Sequence, residues 1–259
     1  MPDQNWQLDR AYLDGDPVLP LRAHVFGAAR DTDAASRLHC SHNMAPGARR
    51  APADRRITGA PEVNPAFFRF NPGDSIHGLE RETEAFTWLL FMRSTDTDIG
   101  QTSNDRAGAM GNFRQGLSIY RGSSVYALTN SAIRAQTYDV AGGLVTTVLN
   151  LPSTTINFWR LIEVTRFLDG GTWKLRVVNH FGDSTALSGG NAPVQPLAAA
   201  PAIGTYPVAF GYPGEVWTKH LDMRHGKIYP EALGGGDLTD AVALARATFA
   251  QSGLTEGAA

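Results

Sequence analysis

The sequence predicts an all-β protein in which two antiparallel sheets pack face to face, with one short helix near the C-terminal end. Three observations carry this. Short apolar or alternating segments recur from about residue 66 onward, separated by Gly, Pro, Asn and Asp. Glycine (27) and proline (15) are frequent, which favours turns over long helices. Only one segment, "DLTDAVALARATFAQSG", carries a helical apolar stripe.

The elements follow in order. Residues 1–60 differ from the rest and read as an N-terminal extension. "DGDPVLPLRAHVFGAA" holds one short strand, and "DTDAASRLHCSHNM" has an Asp cap that suits a short helix. "APGARRAPADRRITGAPEVNP" is rich in Pro, Gly and Arg and reads as a long loop. The main domain spans 61–254. "AFFRF", "NPGD" and "SIHGLE" read as strand, turn, strand, and "AFTWLLFMRS" as a continuous apolar strand buried on both faces. "GLSIYRG" and "SSVYALTN" suggest a hairpin, and "GLVTTVLNL" and "YPVAFGY" add strands. In "NFWRLIEVTRFL", Ile162 and Val164 alternate with Glu163 and Thr165, as in a strand with one buried face. "DGG" then supplies the positive-φ positions of a tight hairpin, and "TWKLRVVN" returns with Trp173, Leu175 and Val177 on one face. In the last segment Asp237 or Thr239 can cap a helix, Val242, Leu244, Ala245 and Phe249 form its stripe, and Gly253 stops it.

Composition excludes several classes. The formal net charge is -2, so nothing global favours nucleic acid. Arg49, Arg50, Arg55 and Arg56 cluster, but a solvated loop explains them. A single cysteine, Cys40, permits no internal disulfide and fits folding in a reducing compartment. "MPDQNWQLDR" lacks the basic and apolar regions of a signal peptide, and no apolar run reaches the ~20 residues of a membrane span. Synthesis in the cytosol is expected.

Four segments in the same order resemble the laminin-G-like, concanavalin A-like jelly roll: "FFRFNPGDSIHG", "FTWLLFMRS", the hairpin around "DGG", and "DMRHGKIYPEALGGGDLTDAVALARATFA". The resemblance covers residues 66 to 250 and implies a two-sheet antiparallel jelly-roll sandwich. That fold hosts glycanases, lectins and structural modules, so function has to be argued from a site.

Glycanases of this fold resemble a Glu-x-Asp-x-x-Glu strand, which is absent. In "LERETEAF", Glu80, Glu82 and Glu84 alternate. On a strand they would share a face at roughly 6 to 7 Å spacing, compatible with paired-carboxylate catalysis. A solvated polar run before a core strand is the preferred reading. No nucleophile elbow surrounds Ser184, and "GGG" at 234–236 lacks the context of a phosphate loop. His39, Cys40 and His42 lack further zinc ligands at suitable spacing. Asp96, Asp98, Asn104 and Asp105 offer oxygen ligands of the type calcium takes, and the resemblance implies calcium in a rim loop. A polar hairpin loop explains the same residues.

For sugar binding, aromatic faces flanked by polar groups matter. Tyr212, Trp217, His220, Asp222, Arg224 and His225 form the richest such segment, although a core Trp217 with a polar strand face is the simpler account. The resulting expectation is a non-catalytic carbohydrate-binding module. The missing signal peptide, missing disulfides and N-terminal extension resemble fibre or spike proteins of bacteriophage and phage-like particles, released by lysis. Its partners would be a cell-surface polysaccharide and particle or capsid proteins gripped by residues 1–60. An exposed flank could also serve a homo-oligomer. The rivals are a purely structural decoration protein and a glycan hydrolase or lyase.

Overall fold

The computed structural model describes residues 23–26, 56–64, 67–77, 81–112, 121–151, 156–180, 191–211, 217–250 and 254. "GLSIYRG" up to residue 120, "DTDAASRLHCSHNM" with its His39, Cys40 and His42, the arginines at 49, 50 and 55, Ser184 and Gly253 lie outside them.

Fifteen strands are described: β1 (Ala23–Phe26), β2 (Arg56–Thr58), β3 (Glu62–Val63), β4 (Phe68–Phe70), β5 (Ser75–His77), β6 (Phe86–Arg93), β7 (Ala107–Gly111), β8 (Ser123–Thr129), β9 (Ala132–Tyr138), β10 (Leu144–Asn150), β11 (Arg160–Asp169), β12 (Thr172–Asn179), β13 (Gln195–Pro196), β14 (Ala209–Gly211) and β15 (Leu221–Tyr229). One helix, α1 (Gly235–Ala250), follows. The first sheet has the order β13-β12-β11-β6-β15-β4-β3, with β1 also on β15, and the second runs β10-β9-β8-β7-β14-β5-β2. All pairings are antiparallel. The all-β, two-sheet sandwich with a C-terminal helix is therefore the observed architecture.

Strand β6 shows why the layers form. Phe86, Trp88, Leu90 and Met92 point between the sheets, where they meet Met110, Val125, Ile133, Ala135 and Phe210 of the opposite sheet. Leu89 and Phe91 point outward and are covered by α1 through Ala241, Val242, Ala245 and Phe249, the Phe91 and Phe249 rings stacking at 4.0 Å. A strand with helix on one face and sheet on the other reads as a continuous apolar run. The helix begins at Gly235, ahead of the expected cap, so Asp237 lies in its first turn and Thr239 donates back to the Gly235 carbonyl.

Two corners link the sheets. The "NPGD" turn joins β4 of the first sheet to β5 of the second, and the turn at Gly59 joins β2 to β3 in the opposite sense. Asp74 clips both, accepting from the amides of Asn71 (3.0 Å) and Ala60 (2.8 Å). The expected long loop is thus interrupted by β2 and β3. One edge of β15 is shared, with β4 opposite Leu221–Met223 and β1 opposite His225–Ile228. Residues before 61 therefore supply an edge to each sheet. The β11–β12 hairpin closes through Gly170 and Gly171, both at positive φ (56° and 78°), as a two-residue loop of the primed type requires.

The polar side of β11 departs from expectation, because both faces are buried. Glu163 is fully enclosed, accepting from Arg176 (2.6 Å) and Thr165 (2.5 Å) and meeting His180 Nε2 at 2.7 Å. A strand in mid-sheet with packing on both sides leaves no solvated face, so its polar residues have to pair with one another. Burial pushes the Glu163 carboxyl up, but the bonds from His180 and Thr165 and the Arg176 charge outweigh it and hold the group below its usual range. A depressed carboxylate stabilises the fold above its unfolded pKa, about 4.3 for glutamate, and this is lost as pH falls through the folded value. Glu163→Gln is expected to lower stability at neutral pH and to flatten the acid limb of stability against pH in urea titrations. An unchanged acid limb would remove Glu163 from that role.

Candidate functional site

At the end of the sandwich where β6 stops at Arg93, two loops distant in sequence come together. Residues 217–220 run beside residues 104–106, with Thr218 N donating to the Asn104 carbonyl (3.1 Å) and Lys219 N to the Arg106 carbonyl (3.2 Å). Asp96 accepts from the His220 amide (2.8 Å) and lies 2.9 Å from its ring Nδ1. His220 Nε2 meets the exposed Thr95 hydroxyl at 2.9 Å. Contacts to both ring nitrogens hold the imidazole in one orientation. Lys219 Nζ bridges Asp98 (2.5 Å) and Asp105 (3.7 Å), and Asp105 also takes the Thr218 hydroxyl (2.8 Å) and the Thr102 amide (2.8 Å). Hydrogen bonds from Thr102 and Thr218 hold the Asp105 carboxyl below its usual range, and Asp98 raises the Lys219 ammonium above its own. The result is a half-exposed rim of hydroxyls, carboxylates and one imidazole.

The rim joins the expected metal residues to part of the expected sugar residues. Asp96, Asp98, Asn104 and Asp105 all lie on it, together with His220. Two of the four expected calcium ligands are already engaged by a protein cation: Lys219 sits between Asp98 and Asp105, and an ion bound there would have to displace it. Among the described residues, no three His, Cys, Asp or Glu side chains converge as a metal cage. Trp217 is buried against Tyr126, ring centroids 4.7 Å apart, on the outer face of the second sheet. Asp222 is fully buried on the outer face of the first sheet, gripped by Arg69 (2.8 and 3.1 Å) and Arg93 (3.1 Å). Arg224 is buried at the β15 bulge, where the register shifts between Met223 and His225. His225 pairs through its backbone with Phe26 and Phe91. Tyr212 and the His225 side chain lie outside the described residues.

Sequence reasoning passed over Thr95, Lys219, Arg69 and Arg93. One signal was available for the arginines. Arg69 interrupts the apolar pair Phe68 and Phe70, and Arg93 ends an apolar strand, so each is a charge on a strand that needs a partner.

The glutamate series separates. Glu80 lies outside the described residues, and Glu84 is exposed. Glu82 is buried, which corrects the solvated reading at that position. Residues 81–85 are not a strand, so the expected common face does not form. Glu82 faces Arg166 Nη1 at 2.8 Å, both side chains being fully enclosed. It also accepts from Ser123 Oγ (2.5 Å), Asn112 Nδ2 (3.1 Å) and the Gly204 amide (2.9 Å). Arg166 spends its remaining donors on the carbonyls of Thr83 (2.6 Å) and Glu84 (2.7 Å) and on the Thr137 hydroxyl (2.7 Å), and lies over the Phe86 ring. A carboxylate so enclosed and so fully bonded is a structural tie. Glu82→Gln or Arg166→Met alone is expected to cost about 3 to 5 kcal/mol, because each leaves a buried charge unpaired, and the double change should recover part of it. Urea midpoints of the three variants check this. Additive losses in the double variant would show that the pair is not coupled.

No protein-family model matches this chain, and no curated protein matches it. Solved structures do. The receptor binding domain of botulinum neurotoxin D superposes with a TM-score of 0.55 at 13% identity, over 88% of this chain and 52% of that one. The botulinum neurotoxin serotype D ligand binding domain in complex with N-acetylneuraminic acid gives 0.55 at 14%, over 92% and 52%. The binding domain of Paraclostridial Mosquitocidal Protein 1 gives 0.54 at 11%, over 73% and 46%. The chain spans about half the length of these binding domains, and at such identities what it shares with them is the β-sandwich fold.

Proposed function

We propose that this protein is a non-catalytic carbohydrate-binding module whose sugar site is the rim formed by residues 95–105 and 217–220. The observation that carries the reading is the convergence of Thr95, Asp96, Asp98, Asp105, Thr218, Lys219 and His220, from two loops more than a hundred residues apart, on one half-exposed surface. Rigid hydroxyl, carboxylate and imidazole groups at fixed spacing suit the hydroxyls of a sugar. The likeness to a binding domain solved with N-acetylneuraminic acid supports the same reading. Tyr212, next to the rim in sequence, is the aromatic candidate for the pyranose face. The enclosure of Glu82 favours binding over a hydrolase built on the glutamate series.

The wider setting is part of the proposal: a fibre or spike of a virion or phage-like particle, made in the bacterial cytoplasm, facing a host cell-surface polysaccharide. Residues before 61 would hold the particle while lending β1 and β2 to the sandwich. Calcium at Asp96, Asp98, Asn104 and Asp105 is a further element, requiring Lys219 to move aside.

Glycan-array binding of the full chain, in calcium and in EDTA, tests this. Binding is expected, and His220→Ala should reduce it at least about tenfold, the loss of one or two hydrogen bonds. Loss in EDTA would place calcium at the rim, and survival would remove it. No binding in either condition would overturn the carbohydrate reading in favour of a structural decoration protein.

A further inference from the structure

Strand β10 ends the second sheet and pairs with β9 over all 7 of its residues, without a bulge. Just beyond its ends, the Asp139 amide donates to the Gly143 carbonyl and the Leu151 amide to the Ser131 carbonyl. Odd-numbered residues therefore bond to β9, and the amides and carbonyls of Leu144, Thr146, Val148 and Asn150 point the other way. Among the described residues, none of these outward groups has a hydrogen-bond partner. Thr147 reaches the Pro193 carbonyl through its hydroxyl (2.7 Å), a side-chain bond that leaves the outward backbone row untouched.

Open sheet edges are usually blunted by shortness, charge or proline. The other ends of the two sheets are: β13 is 2 residues long and holds Pro196, β3 is 2 residues long and holds Glu62, and β2 is 3 residues long and holds Arg56. β10 has none of these devices. Its sequence, "LVTTVLN", carries no charge and no proline and is rich in β-branched residues. Exposed apolar side chains flank it: Val140 (66%) in the turn leading in, Leu144 (49%) at its start and Val194 (45%) next to Pro193.

The chemistry of the strand selects its occupant. A charged segment finds no counter-charge between Leu144 and Asn150, whereas a second β10 is equally neutral. Laid antiparallel about a two-fold axis at Thr147, two copies set Leu144 opposite Asn150 and Thr146 opposite Val148. Outward-facing residues then meet only outward-facing ones, and every outward amide and carbonyl gains a partner. We propose that β10 pairs with the β10 of a second copy of this chain in this register, making one sheet continuous through the dimer. The proposal does not depend on the carbohydrate reading.

Sedimentation equilibrium of the full chain over a concentration series tests this, and a reversible dimer is expected. Thr146→Pro removes an outward amide but no bond to β9, so the strand should still form with an unchanged far-ultraviolet spectrum. Because the axis doubles every loss, the dimer should weaken at least about tenfold. Thr146→Lys and Thr146→Glu keep the amide. The two side chains at 146 are diagonal neighbours across the axis, roughly 7 to 8 Å apart at the backbone. Each variant alone should dissociate, and their equimolar mixture should associate again. A wild-type monomer at every concentration would overturn the proposal and leave the edge to an extended segment of another protein. A dimer as strong in Thr146→Pro as in the wild type, or a Lys and Glu mixture that associates no better than either alone, would overturn it by placing the contact elsewhere.

Discussion

Glu82 and Arg166 tie the two sheets together at one end of the sandwich, and the remaining architecture is arranged around that tie. Arg166 comes from the centre of the first sheet, whereas Ser123 and Thr137 come from neighbouring strands of the second. Glu82 sits on the connection into β6, and Gly204 and Asn112 bring in the loops after β13 and β7. Burial pulls the Arg166 guanidinium below its ordinary value and Glu82 pulls it back, yet an arginine stays charged in either case. Such a cluster adds little net stability compared with apolar packing, but every member is wrong in any other register. Its contribution is to specify one alignment of the sheets.

That alignment sets what the far end can do. From Phe86, opposite Arg166, to Arg93 the strand runs seven steps, about 23 Å. The rim loops leave from strand ends whose positions the core dictates, and the bonds from Thr218, Lys219 and His220 then fix their spacing. A rigid scaffold presenting loop residues at one end is the usual way a sandwich acquires a binding surface. On the outer face of the first sheet, α1 covers Leu89 and Phe91, and the buried Asp222 is held between the partly exposed Arg69 and Arg93.

Much of the fold was legible in the chain. The apolar run of β6, the Asp-Gly-Gly hairpin and the helical stripe of α1 each follow from local periodicity or from a backbone conformation only glycine adopts readily. The short strands β2 and β3 were not, because three- and two-residue strands in a Pro- and Arg-rich stretch carry no period of their own. The second buried face of β11 was not legible either. Glu163, Thr165 and Arg166 look solvated in sequence, and only the packing of neighbours on both sides encloses them.

The sequence by itself determined the class of fold, the positions of the long strands and the absence of a paired-carboxylate strand motif, since these depend on residues near one another along the chain. Tertiary structure alone decided which polar residues face solvent and which are sealed in pairs. It buried Glu82 and Asp222, covered Trp217, and brought Asp96 to His220 and Arg69 to Arg93. Partners so far apart along the chain leave no local signature, because their interaction energy arises only once the sheets have set the distance between them.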